Sequence, residues 1–464
     1  MMRLLICALF LLGALLTNLN GIMAEEPLRV GVFDVDASPP IGSPLAYDPT
    51  KEVLIPLTCR GIVITGAGKP IVLCAVDWLG IANRSHRQFR EALAKAAGTT
   101  PERVAVHTLH QHDAPWADLD TEELAANHDI PYRPFDSKFV ADVIQRAALA
   151  AEKAQREAQP LTHIGLGSAI VEKVASNRRV LGPDGKVLHI RWSATKDPVA
   201  REFPDGVIDP EVKLITLFNA ERPLVTLTYY ATHPQSYYRT GKANPDFPGM
   251  ARNARQAATG VPHIHFNGAA GNITAGKYND GAVENRQILA DRLAAGMAKA
   301  FEQTKKQSIA ARDVAWESVA VALPPAPHLN EAKLLATIDD KEKPPIQRFT
   351  LANNLAWLQR CQNKTNSIDL GCLTLGEARV LHMPGELFIE YQLEAQQLKP
   401  DAFVAMAAYG DYGTAYIGTS ISYSQGGYET GPTASHVAPE AENVLMRGIA
   451  QLLKIDVAKL RPLR

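Results

Sequence analysis

Three of the 13 histidines in this 464-residue sequence lie within six positions, in the segment VAVHTLHQHDAPW that runs from Val104 to Trp116. Its alternating apolar residues predict a strand, and in a strand residues two apart face the same side. His110 and His112 can therefore direct both imidazoles to one point, as zinc ligands do. An isolated HxH motif also fits two polar histidines at a strand end. His107 is out of phase with the pair and is predicted to be structural.

Two further residues are candidates for the same chemistry. His233 ends a hydrophobic strand directly before a proline, where a strand delivers a side chain to a site built from loops. Glu386 follows a Pro-Gly turn, and a carboxylate buried there needs a metal or a basic partner. A solvated turn glutamate is the alternative. A second HxH motif, His263 and His265, lies inside an apolar strand and is interpreted either as part of the core or as support behind the residues of the site.

A glycine-rich segment near the C-terminus, YGDYGTAYIGTSISYSQGGYETGP, contains five tyrosines. A phenol can bind a metal or donate a hydrogen bond, and aromatic side chains commonly line binding pockets. The alternative is a long loop packed by its own rings. The segment is therefore a candidate wall of a binding site.

Composition and missing motifs argue against several classes of function. The 48 basic and 49 acidic residues nearly balance, and no basic stripe is present, so nucleic acid is not an expected partner. The HExxH and GxSxG motifs of other hydrolases are absent. Neither a Walker loop nor a GxGxxG fingerprint is present, which argues against nucleotide binding.

The N-terminus has the layout of a secretory signal peptide. One Arg precedes an apolar run from Leu4 to Leu16, and small residues precede a cleavage site expected after Ala24. Because the apolar run is short for a membrane span, export with cleavage is predicted over a membrane anchor. No later segment has a transmembrane pattern. Residues 1–24 are thus the expected signal peptide, and the expected location is secreted or periplasmic.

Four cysteines remain in the expected mature chain, and an exported protein permits disulfides. Cys361 and Cys372 flank a short polar loop and are one candidate pair. Cys59 and Cys74 lie on two apolar runs joined by residues 66–69, which predicts a hairpin, and are either buried thiols or a bridge. No CxxC motif is present, so a cysteine-based zinc site is not expected.

Long helices mixed with hairpin-like strand pairs predict an α+β protein, in which antiparallel or mixed β-sheet layers are flanked by helices. One helix is predicted at 85–96, with Ser85 as its N-cap. Residues 325–365, rich in Lys, Glu and Gln, are predicted to be an inserted helical hairpin on the surface. Without a repeat or a long linker, residues 25–464 are predicted to form a single large catalytic domain.

The order of short motifs resembles the N-terminal catalytic domain of the neutral/alkaline (non-lysosomal) ceramidases, which are zinc-dependent amidases. The resemblance extends over most of the expected mature chain. The matching segments are GVFDVDASPPIGSPLAY, VLCAVDWLG, LHQHDAP, SNRR, THPQS, NPDFPGMAR, NGAAGNI, MPGEL and YIGTSISYSQGGYE. Each motif alone is weak, and their joint order is specific.

The resemblance implies a zinc site and a set of residues that act on the substrate. Carried over to the matching positions, the implied zinc ligands are His110, His233, Glu386 and Tyr416. The residues implied to face the substrate are His112, Arg178 and Tyr428. The spacing of the tyrosine segment leaves Tyr412 as a rival to Tyr416, and Arg179 directly follows Arg178 and is its rival.

The implied mechanism is hydrolysis of an amide. Zinc lowers the pKa of a bound water toward about 7, and the resulting hydroxide attacks the amide carbonyl. His112 takes up the proton and returns it to the leaving amine, while Arg178 and Tyr428 stabilise the oxyanion. The resemblance therefore implies an exported zinc-dependent amidohydrolase that cleaves an N-acyl lipid, ceramide, to a sphingoid base and a fatty acid.

Departures from the family's motifs leave alternatives. Asp113 and Ala114 replace a Ser-Gly pair, Asn272 replaces an Asp, and the additional C-terminal immunoglobulin-like domain of well-known members is not expected here. One alternative is a zinc hydrolase of the same family that acts on a different N-acyl amine, a peptide or an ester. The other is a non-catalytic binding protein. A small-molecule N-acyl lipid is the expected partner, with peripheral membrane contact, and no oligomeric state is predicted.

Overall fold

Three β-sheets, each with one pair of parallel strands, form the framework of the protein in the computed structural model, which describes residues 27–363 and 367–463. The predicted signal peptide, residues 1–24, lies outside the described residues. Helices pack on the outer sides of the sheets, which confirms the α+β class with mixed sheets flanked by helices. In the described part of the chain, no helix is long and apolar enough to cross a bilayer.

Strands and helices alternate along the whole described chain. The strands are β1 (Arg29–Asp36), β2 (Glu52–Val53), β3 (Thr58–Thr65), β4 (Ile71–Val76), β5 (Gly80–Ile81), β6 (Val104–Thr108), β7 (Trp116–Ala117), β8 (Gln159–Pro160), β9 (His163–Ile170), β10 (Ser176–Asn177), β11 (Arg179–Leu181), β12 (Val187–Ile190), β13 (Glu211–Asn219), β14 (Arg222–Tyr230), β15 (Lys242–Ala243), β16 (His263–Asn267), β17 (Ile273–Thr274), β18 (Lys305–Ser308), β19 (Val314–Val321), β20 (Ile368–Leu375), β21 (Ala378–His382), β22 (Glu386–Leu387), β23 (Phe403–Ala407) and β24 (Tyr416–Ile417). The helices are α1 (Asn83–Ala97), α2 (Leu119–Asn127), α3 (Ser137–Arg156), α4 (Pro198–Glu202), α5 (Asp246–Thr259), α6 (Glu284–Glu302), α7 (Glu331–Ile338), α8 (Pro345–Gln362), α9 (Ile389–Leu398), α10 (Ser422–Gln425) and α11 (Ala441–Leu453). Four 3₁₀ turns cover Pro101–Arg103, Ala311–Asp313, Tyr412–Thr414 and Val457–Lys459.

The three sheets direct their parallel strands toward one region. Their strand orders are β6-β4-β3-β1-β8, β16-β14-β13-β9-β18 and β19-β20-β21-β23. The parallel pairs are β4 with β6, β14 with β16, and β21 with β23. Hydrogen bonds join the carboxyl ends of these pairs: Thr108 N donates to Tyr409 O, and Ala408 N donates to Asn267 O, both at 2.9 Å. The loops that leave these strand ends therefore meet.

A hydrophobic core lies between the three sheets. The first sheet contributes Ile62 and Leu73, the second contributes Leu217 and Leu227, and the third contributes Val380, all fully buried. A second cluster packs the first sheet against α1 and α3, and a third packs the other two sheets against α6, α8, α9 and α11. Apolar faces on both sides of each sheet explain why the strands are predominantly apolar runs.

The N-terminal cap predicted for the first helix is wrong. The helix α1 begins at Asn83, two residues earlier, and the cap residue Ala82 provides no side-chain hydrogen bond. Ser85 lies inside the first turn, where its Oγ accepts a hydrogen bond from Leu119 N at 3.0 Å. The serine therefore joins α1 to the start of α2.

Residues 325–363, the described part of the segment 325–365, contain the helices α7 and α8, and the surface position predicted for the segment is wrong. The helix α8 buries Phe349, Leu355 and Trp357 in the core, and the Trp357 indole N–H donates to His436 O at 2.9 Å. The charged composition that suggested a surface hairpin is concentrated before α8, at 339–343, where four of the five side chains are exposed. The helix α8 therefore belongs to the core, and the residues before it remain at the surface.

The four cysteines of the described chain lie on β3, β4, α8 and β20. The predicted hairpin of β3 and β4 is confirmed, and its Cys59 and Cys74 are buried thiols whose Sγ atoms lie 3.4 Å apart. Cys361 lies on α8, where its Sγ contacts Leu323 O at 3.8 Å, and Cys372 is buried on β20.

A buried ion pair supports the end of β4. Arg252 donates to both carboxylate oxygens of Asp77, at 2.6 and 2.9 Å, and both side chains are about 1% exposed. Burial alone would raise the pKa of Asp77, but the Arg252 guanidinium holds it below the ordinary value. Asp77 O also accepts from Gln111 Nε2 at 2.5 Å, so the pair lies under the first HxH segment.

The substitution Asp77→Ala should lower the free energy of unfolding by about 3–5 kcal/mol, because it leaves the Arg252 charge buried without a partner. The pKa of Asp77 is lower in the folded protein than in the unfolded chain. The ionised Asp77 therefore contributes to the free energy of unfolding above about pH 4, and this contribution is lost as the pH falls through the pKa of Asp77 in the folded protein. Urea unfolding at pH 7 and below pH 4 measures both effects.

The matched control is Asp142→Ala, which removes the exposed Asp142–Arg146 pair on α3 and should change stability by less than about 0.5 kcal/mol. The double variant Asp77→Leu with Arg252→Met should recover most of the lost stability. A loss below 1 kcal/mol, roughly, for Asp77→Ala would contradict the role of the pair.

Candidate metal centre

Four predicted site residues come together at the carboxyl ends of the parallel strands. His110 follows β6, His233 follows β14, Glu386 begins β22 shortly after β21, and Tyr416 begins β24. The short strands β22 and β24 pair in parallel, with Glu386 opposite Tyr416. His110 and His233 are about 120 positions apart in sequence, and His233 and Glu386 are about 150 apart. They are neighbours in the structure because each of the three sheets ends in a loop at the same place.

The HxH segment is a loop rather than the end of a strand, so the geometric reason for its prediction is wrong. The strand β6 ends at Thr108, and His110 has a left-handed φ of +70°. Its backbone is held because His110 N donates to Trp78 O at 2.9 Å. The imidazoles of His110 and His112 nevertheless lie side by side, with ring centroids 5.3 Å apart.

One nitrogen of His110 is committed to the backbone. Its Nδ1 donates to Leu79 O at 2.7 Å, so in the neutral ring the lone pair is on Nε2. That nitrogen lies 3.2 Å from Glu386 Oε2. Metal-binding histidines typically donate their other ring N–H to a carbonyl or carboxylate in this way. The Tyr409 ring stacks on the His110 ring at 4.5 Å between centroids and fixes its plane.

At the centre of the site, three buried polar atoms have no hydrogen-bond partner among the described residues: His110 Nε2, His233 Nδ1 and Glu386 Oε2. The carboxylate oxygen lies 3.2 Å from His110 Nε2 and 3.6 Å from His233 Nδ1. All three side chains are about 1% exposed. Unpaired buried polar atoms are costly. Two imidazoles and a carboxylate that converge without other partners are the donor set that zinc and related metals bind.

Glu386 is positioned by a turn that requires glycine. Gly385 has a φ of +56°, and a Cβ at this position would overlap Thr414 Oγ1. The glycine-rich loop after β16 also approaches closely, because Gly271 N donates to Leu387 O at 2.9 Å and a Cβ on Gly271 would clash with Glu386 O. The Pro-Gly-Glu and Gly-Ala-Ala-Gly motifs therefore belong to one packed unit.

His112 lies beside the three unpartnered atoms. Its Nε2 is 2.8 Å from His233 Nε2, and ligand atoms of His110, His112 and His233 all lie within 4.8 Å of one another. Burial lowers the pKa of both His112 and His233 well below the ordinary value, so both rings are neutral near pH 7. His110 and His233 thus belong to two possible metal triads, completed by Glu386 or by His112. The other nitrogen of His112, Nδ1, contacts Tyr47 and Gln235, and the ring lines an open pocket.

The two rival tyrosines have different contacts. Tyr412 OH donates to Glu386 Oε1 at 2.7 Å, which leaves Oε2 directed toward the histidines. Tyr416 OH accepts from Arg178 Nη1 at 3.1 Å. Burial raises the pKa of both phenols well above the ordinary value. Tyr412 therefore orients the carboxylate, while the ligand role implied for Tyr416 stays a prediction.

Removing the Tyr412 hydroxyl should weaken metal binding. In Tyr412→Phe, Glu386 loses the donor that fixes its orientation, and an outer-shell loss of this kind costs roughly 10- to 100-fold in metal affinity. Competition with a chromogenic chelator measures the affinity. Tyr423→Phe is the control, because Tyr423 is on the same segment but bonds to Ser435 and Val437. An unchanged affinity in Tyr412→Phe would show that the hydroxyl does not position the carboxylate.

Two adjacent arginines have separate surroundings. Arg178 lines the pocket, and although burial opposes its charge, Tyr416 and Glu429 hold its pKa above the ordinary value. Arg179 points away from the pocket, where its Nη1 donates to Glu429 Oε2 at 3.1 Å and its Nη2 donates to Ser422 O. Of the two, Arg178 is thus the one that can reach a molecule in the pocket.

The pocket beside the candidate metal centre has a volume of about 430 Å³. Its lining residues are Tyr47, His112, Arg178, Trp192, Ser193, Ala194, His233, Gln235, Tyr238, Tyr416 and Tyr428. Tyr428 is 39% exposed at the rim, and its pKa is raised to about 12, chiefly by desolvation. None of residues 325–363 lines this pocket, so the described part of the 325–365 segment does not form its rim.

Sequence reasoning missed several residues of the pocket. Tyr47, Trp192 and Tyr238 form its aromatic walls, and Gln235 contacts His112. Tyr47 and Gln235 lie within two of the matching motif segments, GVFDVDASPPIGSPLAY and THPQS, and this is the signal that could have identified them. Their contact with His112 depends on pairing across more than 60 residues of sequence, which no local pattern shows.

Three histidines outside the candidate metal centre, His107, His263 and His265, bond to neighbouring backbone or side-chain groups. His107 Nδ1 donates to Ala408 O at 2.7 Å, and its Nε2 lies 2.9 Å from His382 Nδ1. His263 and His265 are buried on β16, away from the three unpartnered atoms. His263 bonds to Val261 O, and His265 bonds to Thr228.

Comparison with known proteins defines the class of fold. No family model and no curated protein matches the sequence. The structure matches the crystal structure of neutral ceramidase from Pseudomonas aeruginosa with a TM-score of 0.67 and 16% identity, covering 95% of this chain and 76% of that one. It also matches a structure described as ceramidase complexed with C2, with a TM-score of 0.66 and 16% identity, covering 95% of this chain and 77% of that one. The chain therefore has the fold of these ceramidases, which confirms the resemblance read from its motifs at the level of the fold.

Proposed function

We propose that the protein is an exported, zinc-dependent amidohydrolase that cleaves the amide bond of a ceramide-type N-acyl lipid. The observation that supports it most strongly is the convergence of His110 Nε2, His233 Nδ1 and Glu386 Oε2, all buried and without partners, in a chain with the ceramidase fold. Lipid binding alone does not require three buried metal-ligand atoms that converge without hydrogen-bond partners.

The donor set fits a zinc ion, which His110, His233 and Glu386 would hold, with Tyr416 close by. Zinc in such a site lowers the pKa of water toward about 7 and polarises a carbonyl group. The protein's part is to hold its ligands in place: Leu79 O fixes His110, and the Tyr412 hydroxyl fixes Glu386.

The residues around the pocket bind and orient the amide. Arg178 and Tyr428 present a guanidinium and a phenol to the pocket that also contains His112, so they can donate to an amide oxygen as negative charge develops on it. Each such donor is worth roughly 3 kcal/mol in the transition state. His112 would take up a proton from the attacking water and deliver it to the leaving nitrogen, which departs as the amine.

The pocket walls suit an amphiphilic substrate. Tyr47 and Tyr238 pack edge to face at 5.1 Å on one side, and Trp192 and Tyr428 lie 5.6 Å apart on the other. These rings are 39–51% exposed, so apolar surface leads from the solvent to the polar centre. An acyl or sphingoid chain can lie between the two aromatic pairs while the amide reaches His112 and Arg178.

The experiment that tests the function is a substrate panel for purified residues 25–464 loaded with zinc. It compares a short-chain fluorescent ceramide with an N-acyl amino acid and with a fatty-acyl ester that carries the same acyl chain. We expect fatty acid release from the ceramide to be the fastest. Preferred cleavage of either of the other two would replace the ceramide by that substrate class, and no cleavage of any by the zinc-loaded protein would contradict the amidase. Export is tested separately by determining the N-terminus of the secreted or periplasmic protein, which is expected to be Glu25.

A further inference from the structure

We infer that Glu429 is a positioning residue that holds two groups of the pocket in place: Arg178 and Tyr428, the proposed donors to the amide oxygen. Glu429 itself does not line the pocket, and it acts through its ion pairs with Arg178 and Arg179. The inference rests on the proposed function, because these donors affect a reaction only if an amide is cleaved. It goes further by giving a role to a buried carboxylate that the proposed mechanism does not use.

The Glu429 carboxylate lies between two guanidinium groups. Its Oε2 accepts a hydrogen bond from Arg179 Nη1 at 3.1 Å, and its Oε1 lies 3.8 Å from Arg178 Nε. All three side chains are at most 5% exposed. Within the described part of the chain, neither Glu429 Oε1 nor Arg178 Nε has a hydrogen-bond partner. The ion pair between these two atoms is therefore the contact that compensates both buried groups.

Arg179 connects this carboxylate to the residues that precede it in the chain. Its Nη2 donates to Ser422 O at 3.1 Å and to Gln425 Oε1 at 3.3 Å. Gly427 approaches so closely that a Cβ on it would lie 2.5 Å from Arg179 Nη1, and its φ of +98° also favours glycine. Residues 422–429 therefore surround one guanidinium group, and Glu429 provides the negative charge at that contact.

Tyr428 and Glu429 are adjacent in sequence and have different surroundings. The Tyr428 ring lines the pocket, and its centroid lies 5.6 Å from those of Trp192 and Tyr416. The Glu429 side chain is fully buried. Arg178 reaches the same pocket, where its Nη1 donates to Tyr416 OH at 3.1 Å. One carboxylate thus fixes both donors, Arg178 through its charge and Tyr428 through the backbone that they share.

The kinetic test is a double-variant cycle on zinc-loaded residues 25–464 with short-chain fluorescent ceramide. Glu429→Gln keeps the shape of the side chain and removes its charge, so kcat should fall roughly 10- to 100-fold with little change in KM. In an Arg178→Met background the loss caused by Glu429→Gln should be about 5-fold smaller, because one of the two groups that Glu429 positions is gone. Equal losses in both backgrounds would contradict the positioning of Arg178 and indicate a general structural effect.

The second readout does not depend on activity. In protein whose tyrosines carry a fluorine atom, the ¹⁹F signal of Tyr428 is the one lost in Tyr428→Phe. In Glu429→Gln that signal should shift and broaden, because the backbone that carries the ring is no longer fixed. An unchanged Tyr428 signal in folded Glu429→Gln would overturn the inference, whether or not the protein hydrolyses ceramide. Absence of hydrolysis by the wild type would contradict the proposed function instead.

Two further variants complete the experiment. Glu152→Gln removes the charge from an exposed Glu152–Arg156 pair on α3, so this matched control should leave kcat and the Tyr428 signal unchanged. Glu429→Asp keeps the charge but cannot reach both guanidinium groups, so it should lie between the wild type and Glu429→Gln in both readouts. If circular dichroism shows that Glu429→Gln does not fold, Glu429→Asp provides the test alone. Wild-type kcat together with an unmoved Tyr428 signal in Glu429→Asp would then overturn the inference.

Discussion

Purified His110→Ala protein is expected to contain no stoichiometric zinc and to have lost hydrolytic activity. His110 Nε2 is buried, unpartnered and 3.2 Å from Glu386 Oε2, and its other nitrogen is fixed by Leu79 O. An alanine removes one of two imidazole ligands, and a zinc ion does not remain at a site with so few donors. Activity should fall more than about 1,000-fold, because without the metal the chain offers no strong electrophile to the amide.

Zinc content is measured by inductively coupled plasma mass spectrometry after gel filtration, and activity by fatty acid release. The exposed His328, changed to alanine, is the matched control and should retain one zinc ion per chain. Circular dichroism and a thermal melt of His110→Ala show whether the chain is folded. A folded variant that still holds one zinc ion would contradict the assignment of His110.

Purified His112→Ala protein is expected to keep its zinc while its kcat falls by roughly 10²- to 10⁴-fold, the contribution typical of a proton-transferring residue. The experiment compares the zinc content of His112→Ala with that of His110→Ala. The comparison is informative because the ligand atoms of His110, His112 and His233 lie within 4.8 Å of one another, so that each could bind the metal. If His112 completed the metal site in place of Glu386, both histidine variants would lose the metal.

The companion variant is Glu386→Gln, which keeps the shape of the side chain and removes its charge. It should lose the metal, while His112→Ala retains it. The reverse result, with zinc lost from His112→Ala and kept by Glu386→Gln, would exchange the roles of the two residues. These measurements need no assumption about the substrate.

Local patterns were sufficient to predict the elements that position the site. The hairpin β3–β4 follows from two apolar runs separated by turn residues. His233 was identified by its place at the end of an apolar strand, and Glu386 by the Pro-Gly turn before it. Both signals are local, because a strand end and a turn depend on neighbouring residues.

What could not be predicted depends on contacts that are distant in sequence. The left-handed backbone of His110 depends on Trp78 and Leu79, which follow a different strand. The choice between Tyr412 and Tyr416 as the partner of Glu386 depends on how a 3₁₀ turn packs against that carboxylate. Composition alone also misplaced the segment 325–365, because the few apolar residues of α8 determine its burial and the many charged residues before it do not.

The most direct test of the central claim is a zinc titration of metal-free protein, residues 25–464, followed by short-chain ceramide hydrolysis at each point. The account predicts that activity is absent without metal, rises in proportion to added zinc, and reaches its maximum at one ion per chain, with zinc binding abolished in the Glu386→Gln variant run alongside. Full hydrolysis by the metal-free protein, or zinc binding without any dependence on Glu386, would contradict it.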